Sequence, residues 1–389
     1  MYYDIIVPFL LPARIITAIG AAERCLLDEI QMLHAKKVLI VSDEVLKKTG
    51  LVDTILSYLD RSNLQIEVYT DIEPEPSIEN LEKGVAYMGG ESFDAVVAVG
   101  GGSVMDVAKL MAVLAVHEGD VRDYIGSHLL KRRGIPTIVM PTTSGTGSEV
   151  TINAVFRDVA NKNKKVVVSP YIMPDVAIVD PVLTLSVPAP VTAASGMDAL
   201  THAIEAYTAQ KATPQADLYA VNAIERIGRS LRTAVANGSD IQARYEMSLG
   251  SLFGGIANGV SSVGAVHALS YPLGAEYHLP HGVSNALMLP HVMKKNLIGN
   301  VERFGHIARL LGEDTTGLSP IEAANTALSA VVKLSEDVGI PSRLRDFGIP
   351  EDIIPVWAKK AVETQQRLLT NNPRILTEKD IAEIYTSAW

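Results

Sequence analysis

The chain has 389 residues, a length that points to two domains of ordinary size or one large one. Apolar residues make up 48% and the net charge is -10, which excludes disorder and argues against a nucleic-acid or anionic-membrane partner, since either needs a basic face. One cysteine, Cys25, excludes a disulfide framework and a cysteine-ligated zinc site, and fits a reducing cytoplasm.

The opening segment "MYYDIIVPFLLPARIITAIG" is apolar, lacks a basic n-region, and is interrupted by Pro8 and Pro12. It reads as neither signal peptide nor membrane span, and no other run reaches about 18 apolar residues. "KKVLIVSD" (36–43) is a β-branched run flanked by charge, as in a buried strand. "EVLKKTGLVDTILSYLDRS" follows with helical spacing and an internal glycine. "LQIEVYT" (64–70) is strand-like. "SIENLEKGVAYMGG" has a serine N-cap and a closing glycine pair, so it reads as a helix. "DAVVAVGGGS" (94–103) is a strand running into glycines, and "VMDVAKLMAVLAV" is the helix after it. "IPTIVMPTT" (135–143) is a further strand ending in a polar loop. This alternation predicts a parallel sheet with helices on both faces.

From about Pro188 long amphipathic stretches replace the strands: 190–209, 214–236, 239–258, 261–271, 285–295, 300–311, 319–338, 350–366 and 378–388. Three prolines in "DPVLTLSVPAP" (180–190) mark the boundary. The expected organisation is an α/β domain over 1–186 and an all-α domain over 187–389.

Two loops in the first domain suit a nucleotide. "VGGGSVMD" (99–106) follows a strand and opens a helix, so the backbone can approach a phosphate at a helix N-terminus; a tight strand-to-helix turn would look the same. It is not the usual G-x-G-x-x-G fingerprint, because the sixth position is lost and Asp106 stands in the helix that follows. "PTTSGTGSEVT" (141–151) offers the hydroxyls of Thr142, Thr143, Ser144, Thr146 and Ser148 at the end of the next strand, where ligand crevices form. Asp43 ends the first strand. It suits an adenosine ribose and would repel a 2′-phosphate, favouring NAD over NADP, but a helix-capping aspartate fits equally well.

In the second domain, "GMDALTHAIEAY" places Asp198 and His202 at i and i+4 on one helical face. A buried salt bridge would explain that pair alone. The segment 261–291 then holds His267, His278, His281 and His291, out of nine histidines in the chain. "HALSYPLGAEYHLPHGVSNA" reads as a helix, a Pro-Gly turn and a second helical start. His267 and His281 flank that turn and can converge on Asp198 and His202. One carboxylate with three imidazoles suits a first-row divalent ion, Fe(II) or Zn(II), rather than calcium or magnesium. His291 and His306 read as surface or capping residues. His278 is one histidine too many.

Taken together, "GGGSVMDVAK", "PTTSGTGSEVT", "DPVLT", "GMDALTHAIEAY", "HALSYPLGAEYHLPHGVSNALMLPHVM" and "NNPR" resemble the iron-containing (group III) alcohol dehydrogenases, within them the lactaldehyde:propanediol oxidoreductase branch. The resemblance runs from "VLIVSD" to the terminal "YTSAW". It implies an α/β dinucleotide-binding domain with a parallel sheet, an all-α metal-binding domain and a cleft between them, an architecture like that of dehydroquinate synthase. It places the metal ligands on Asp198, His202, His267 and His281. It places nicotinamide-cofactor contacts on Asp43, Gly101, Gly102, Ser103, Thr142, Thr143, Thr146, Asn153, Lys164 and Leu183, with Asp106 counted beside them. Many relatives carry a second histidine four residues after the third of these ligands; this chain has Tyr271, so Tyr271, His278 or water alone would handle the proton. Asn153 and Arg367 are the substrate-side candidates, Arg367 for an anionic tail, although a surface arginine reads the same.

The implied activity is NAD(H)-linked interconversion of a short-chain primary alcohol and its aldehyde, with Fe(II) or alternatively Zn(II), in a cytoplasmic homodimer. The apolar "YYDIIVPFLLP" is the candidate dimer edge. Two alternatives stand. One is a dehydroquinate-synthase-like lyase, disfavoured because the ligand-bearing stretches lack the lysines and arginines a phosphorylated substrate needs. The other is a nucleotide-binding protein whose metal is structural, which would leave no open coordination position.

Overall fold

Short β-branched runs form a sheet because they bury residues on both faces at once. The computed structural model describes residues 6–60, 62–90, 92–160 and 163–389. The chain divides into two compact units, Leu10–Val187 and Pro188–Trp389, the latter joined by residues 6–9. Of the apolar N-terminal segment, 6–12 form no strand, and 2–5 lie outside the described residues.

The first unit contains strands β1 (Arg14–Thr17), β2 (Lys37–Val41), β3 (Gln65–Tyr69), β4 (Ala95–Gly100), β5 (Gly126–Ser127), β6 (Thr137–Pro141), β7 (Asn153–Asp158), β8 (Asn163–Val168) and β9 (Val176–Val179). Its helices are α1 (Ala21–Met32), α2 (Glu44–Lys48), α3 (Leu51–Ser57), α4 (Ile78–Gly89) and α5 (Gly102–Leu114). Six strands form a parallel sheet in the order β1-β9-β6-β4-β2-β3. Alternate residues serve opposite cores. Leu39, Val41, Val96 and Ala98 join one; Val38, Ile40, Ala95 and Val97 join the other. From β2 the chain passes outward to β3 and then returns to β4 on the other side of β2. That reversal makes the carboxyl ends of β2 and β4 the switch point, where open α/β sheets bind ligands. The helical stretch after β2 is broken into α2 and α3 at Gly50, whose φ of 81° is left-handed. A second, three-stranded sheet, β5-β8-β7, was not expected from the sequence.

The second unit is helical: α6 (Ala189–Thr208), α7 (Pro214–Ala236), α8 (Ile241–Ser261), α9 (Ala265–Tyr277), α10 (His281–Asn296), α11 (Val301–Leu310), α12 (Pro320–Asp337), α13 (Ile354–Thr364), α14 (Gln366–Leu369) and α15 (Glu378–Ala388). Trp357, Tyr385, Phe304, Leu200 and Met197 are among the residues of its core. The backbone of α6 packs closely against its neighbours. A Cβ at Gly196 would lie 2.4 Å from Leu231, and one at Gly282 would lie 2.4 Å from the Ala194 carbonyl oxygen.

One local expectation is corrected. The Pro-Gly pair after His267 is no turn: α9 runs through Pro272 to Tyr277. The interior proline costs about 3 kcal/mol, which the burial of Leu269 and Leu273 on either side offsets. The chain reverses instead at His278, which closes α9 in the left-handed conformation with φ 57°. Among the described residues, no single helix is long and apolar enough to cross a membrane.

Candidate metal centre and nucleotide loops

Three helices bring the ligand candidates together. Asp198 is on α6, His267 in the first turn of α9, and His281 is the first residue of α10. One ligand atom from each lies within 4.8 Å of the others. Gly282 permits this approach, since no side chain fits between the start of α10 and the Ala194 carbonyl on α6. Asp198 Oδ1 and His267 Nε2 are 3.9 Å apart, a span that two ligands of one first-row ion at about 2.1 Å each can cover. The His202 ring stacks on that of His267, with centroids 4.8 Å apart and planes 21° apart. Asp198, His202 and His267 are buried.

Burial alone would push the Asp198 carboxyl up. The imidazoles of His202, His281 and His267 and the Asn285 amide outweigh it and hold the group below the usual carboxylate range. The donor set of one carboxylate and imidazole nitrogens is that of a first-row divalent cation.

Two residues not singled out in the sequence complete the centre. Asn285 donates from Nδ2 to Asp198 Oδ1 at 2.7 Å, and the same nitrogen is 3.0 Å from His267 Nε2 and 3.2 Å from His281 Nε2. An amide has two protons and cannot serve three acceptors. Its Oδ1 is buried with no hydrogen-bond partner among the described residues. The three ligand atoms therefore gather beside the amide nitrogen, and as acceptors they outnumber its two protons. A cation bound among the three ligand atoms, beside the amide, supplies the missing positive charge, so the residues fit a metal.

Glu205 is the second. Its Oε2 accepts from His267 Nδ1 at 2.6 Å, and its Oε1 accepts from the Val266 N–H at 2.6 Å. The first bond places the imidazole proton on Nδ1 and turns Nε2 toward Asp198, the arrangement of a carboxylate–histidine–metal relay. The second sets a negative charge at the N-terminus of α9.

Tyr271 lies one turn beyond His267 on α9 and packs beside Val263, Ala268 and Leu368. Burial raises its phenol above the ordinary value; the Arg367 charge opposes this, while Glu205 and Asp198 add to it. Arg367, on the exposed side of α14, places Nη1 3.5 Å from Ser262 Oγ. His278 is exposed at the end of α9 and does not join the ligand cluster. His291 pairs with Ser387 at 2.9 Å, and His306 with the Tyr207 hydroxyl at 2.7 Å.

In the other unit, Asp43, the glycine loop and the threonine loop follow β2, β4 and β6, which are adjacent in the sheet. Asp43 Oδ1 accepts from the Leu46 N–H at 2.8 Å and caps α2. Gly101 caps α5 and Gly102 is its first residue. A Cβ on Gly102 would lie 2.7 Å from the Thr146 methyl, and one on Gly101 3.4 Å from Thr143 Oγ1, so the two loops are packed on each other. The Thr142 N–H donates to the Gly100 carbonyl at 3.0 Å. Ser103 Oγ accepts from the Glu75 N–H at 3.2 Å, and Lys164 Nζ is 3.5 Å from Glu75 Oε2. Both oxygens of Asp106 are engaged within the protein, Oδ1 by Ser148 and Lys109 and Oδ2 by the Val155 N–H. Asn153 begins β7, and Leu183 lies in the core.

Comparison with known proteins bears on both units. A family model described as iron-containing alcohol dehydrogenase matches residues 12–181, and one described as the C-terminal part of the Fe-containing alcohol dehydrogenase family matches 192–389. The chain is 48% identical over 373 residues to long-chain-alcohol dehydrogenase 1 of Geobacillus thermodenitrificans (strain NG80-2), covering 95% of this chain and 93% of that protein. It is 43% identical over 369 residues to a 1,3-propanediol dehydrogenase of Klebsiella pneumoniae, covering 94% of each. A crystal structure of a 1,3-propanediol oxidoreductase matches with a TM-score of 0.95 at 42% identity, covering 99% of this chain and all of that one. The parallel sheet and helical unit thus form the dehydroquinate-synthase-like fold, and the chain belongs to the iron-containing alcohol dehydrogenase family of oxidoreductases.

Proposed function

We propose that the protein interconverts a short-chain primary alcohol and its aldehyde, using NAD(H) and a divalent metal, Fe(II) or alternatively Zn(II). The observation that carries this reading is the convergence of Asp198, His267 and His281 beside the Asn285 amide. His202, stacked on His267, is the fourth ligand of the reading.

A divalent ion held there supplies Lewis-acid polarisation of the alcohol or aldehyde oxygen, and NAD(H) supplies the hydride exchange. The chain's own residues prepare that chemistry. Asp198 contributes the one negative charge of the ligand set. Glu205 holds His267 in the Nδ1-protonated tautomer, leaving Nε2 as the donor atom. Asn285 keeps Asp198 Oδ1 oriented. Tyr271, kept protonated by burial, carries the hydroxyl proton within the same unit as the ligands. Arg367 is the candidate for a negatively charged substrate tail. On the other unit, the packed glycine and threonine loops at the switch point suit a dinucleotide phosphate, and Asp43, Ser103, Lys164 and Asn153 flank them. The acidic net charge and single cysteine support a cytoplasmic enzyme without nucleic-acid or membrane partners, and the family supports a homodimer.

The test is NADH oxidation by metal-loaded protein with two- to four-carbon aldehydes, with and without a chelator. Chelator-sensitive turnover is expected. No oxidation of NADH across the series would sink the reading.

A further inference from the structure

The glycine-loop helix carries a lysine with no access to solvent. The Lys109 side chain is 0% exposed. Its Nζ lies 2.6 Å from the Asn153 carbonyl, 2.8 Å from Ser148 Oγ, 3.1 Å from the Ser148 carbonyl, 3.4 Å from the Thr151 carbonyl and 3.1 Å from Asp106 Oδ1. These oxygens outnumber the three protons of an ammonium. A cation is held in the interior only when it is paired and fully hydrogen-bonded, so this arrangement is built rather than incidental. Its acceptors come from two places: α5, the helix opened by the glycine loop, and the segment 148–153 that continues the threonine loop. Asp106 doubles the link, since it accepts from Ser148 Oγ at 2.5 Å and from the Val155 N–H at 2.9 Å.

A simple core role would be met more cheaply by an apolar side chain, because replacing a buried ion pair with hydrophobic residues is often neutral or stabilising. What an apolar side chain cannot do is draw several main-chain carbonyls toward one point. Here those carbonyls lie directly after Thr146, the residue that occupies the space over Gly102. We infer that Lys109, together with Asp106, is a positioning residue that clamps the threonine loop onto the glycine loop and so sets the shape of the dinucleotide phosphate site. The inference rests on the proposed NAD(H) reading for its functional half, while the clamping itself does not.

The test uses the full chain and two independent readouts: hydrogen exchange of the amides in 142–155, and the Kd for NADH. Lys109→Met preserves length and removes the charge. Lys109→Met/Asp106→Asn removes both charges, so no unpaired carboxylate is left buried. Ser148→Ala is the mild variant should either of these fail to fold. In each, faster exchange across 142–155 is expected, and a rise in the NADH Kd of about 10-fold to 100-fold for the lysine variants, less for Ser148→Ala. Metal content should stay near wild type, and the double variant should regain thermal stability without regaining NADH affinity, a split that a merely structural lysine would not produce. Wild-type exchange in the lysine variants, or wild-type NADH affinity in the double variant, would overturn the inference. If the wild-type protein itself binds no NADH, the cofactor reading fails, and the exchange data alone decide the clamp.

Discussion

Glu205 and His267 share a 2.6 Å hydrogen bond between two helices, buried from solvent, while the other Glu205 oxygen caps the start of α9. One carboxylate thereby sets both the entry angle of the helix and the tautomer of its first-turn histidine. Glu205→Gln keeps the shape and removes the charge. Metal affinity is expected to fall about 10-fold to 100-fold. Titrating metal-free protein with Fe(II) or Zn(II) measures this. Wild-type affinity would remove Glu205 from the metal site.

Asn285 is predicted to act on the same centre from the opposite side. Its bond to Asp198 Oδ1 is made to a charged group in a dry interior, which is worth about 1.5–3 kcal/mol. Asn285→Ala should therefore weaken metal binding by about 10-fold or more. Asn285→Asp should do the reverse of a simple loss: it adds a carboxylate beside Asp198, so the metal-free protein should become less stable and gain more thermal stability on metal addition. A melting temperature shift on metal addition equal to that of wild type would exclude this.

These two residues show where legibility in the sequence ends. β2, β4 and β6 declare themselves as apolar runs because each is buried on both faces. The two loops declare themselves by glycine and hydroxyl content, and Asp198–His202 by helical spacing. The same spacing recurs at His267 and Tyr271 on α9 and, unremarked in the sequence, at His281 and Asn285 on α10. Each helix offers a ligand and a polar residue one turn on. A lone Asn or Glu in an apolar helix carries no local signature, however. Glu205 and Asn285 acquire meaning through folded partners, His267 and Asp198, 62 and 87 positions away. The second sheet stayed hidden for a different reason, since β8 begins with Asn163, Lys164 and Lys165, residue types depleted in strands, so its polar start looks like a loop. Pro272 misled because a proline–glycine pair ordinarily ends a helix, while core burial here outweighs that preference.

Asp43 carries two readings that a single substitution separates. Its side chain caps α2, and the proposed ribose role needs its charge. Asp43→Ser keeps the capping oxygen and removes the charge. The protein should remain as stable as wild type within about 1 kcal/mol, while use of NADP relative to NAD rises. An unchanged cofactor ratio would leave Asp43 as a cap alone.

Arg367 stands beside Ser262 on the exposed side of α14, and its charge reaches the buried Tyr271. If it reads a substrate tail, Arg367→Ala should raise KM for aldehydes bearing a carboxylate or sulfonate and leave neutral aldehydes unaffected. Steady-state kinetics on one matched pair of substrates suffices. Equal effects on both would return Arg367 to the surface.

His291 supplies a prediction in pH. Burial, with the Lys294 charge adding to it, pushes its imidazole down to about 4 from an ordinary 6.5. The folded state therefore prefers neutral His291, hydrogen-bonded to Ser387. For a base with a depressed folded pKa, the contribution to stability is intact above 6.5 and is lost as pH falls toward 4. The full shift corresponds to at most about 3 kcal/mol, less after allowance for its partial exposure. Wild-type protein should lose thermal stability between these two pH values, and His291→Gln, which cannot charge, should lose less. Parallel melting curves for the two proteins across that range would show that His291 takes no part in the acid response.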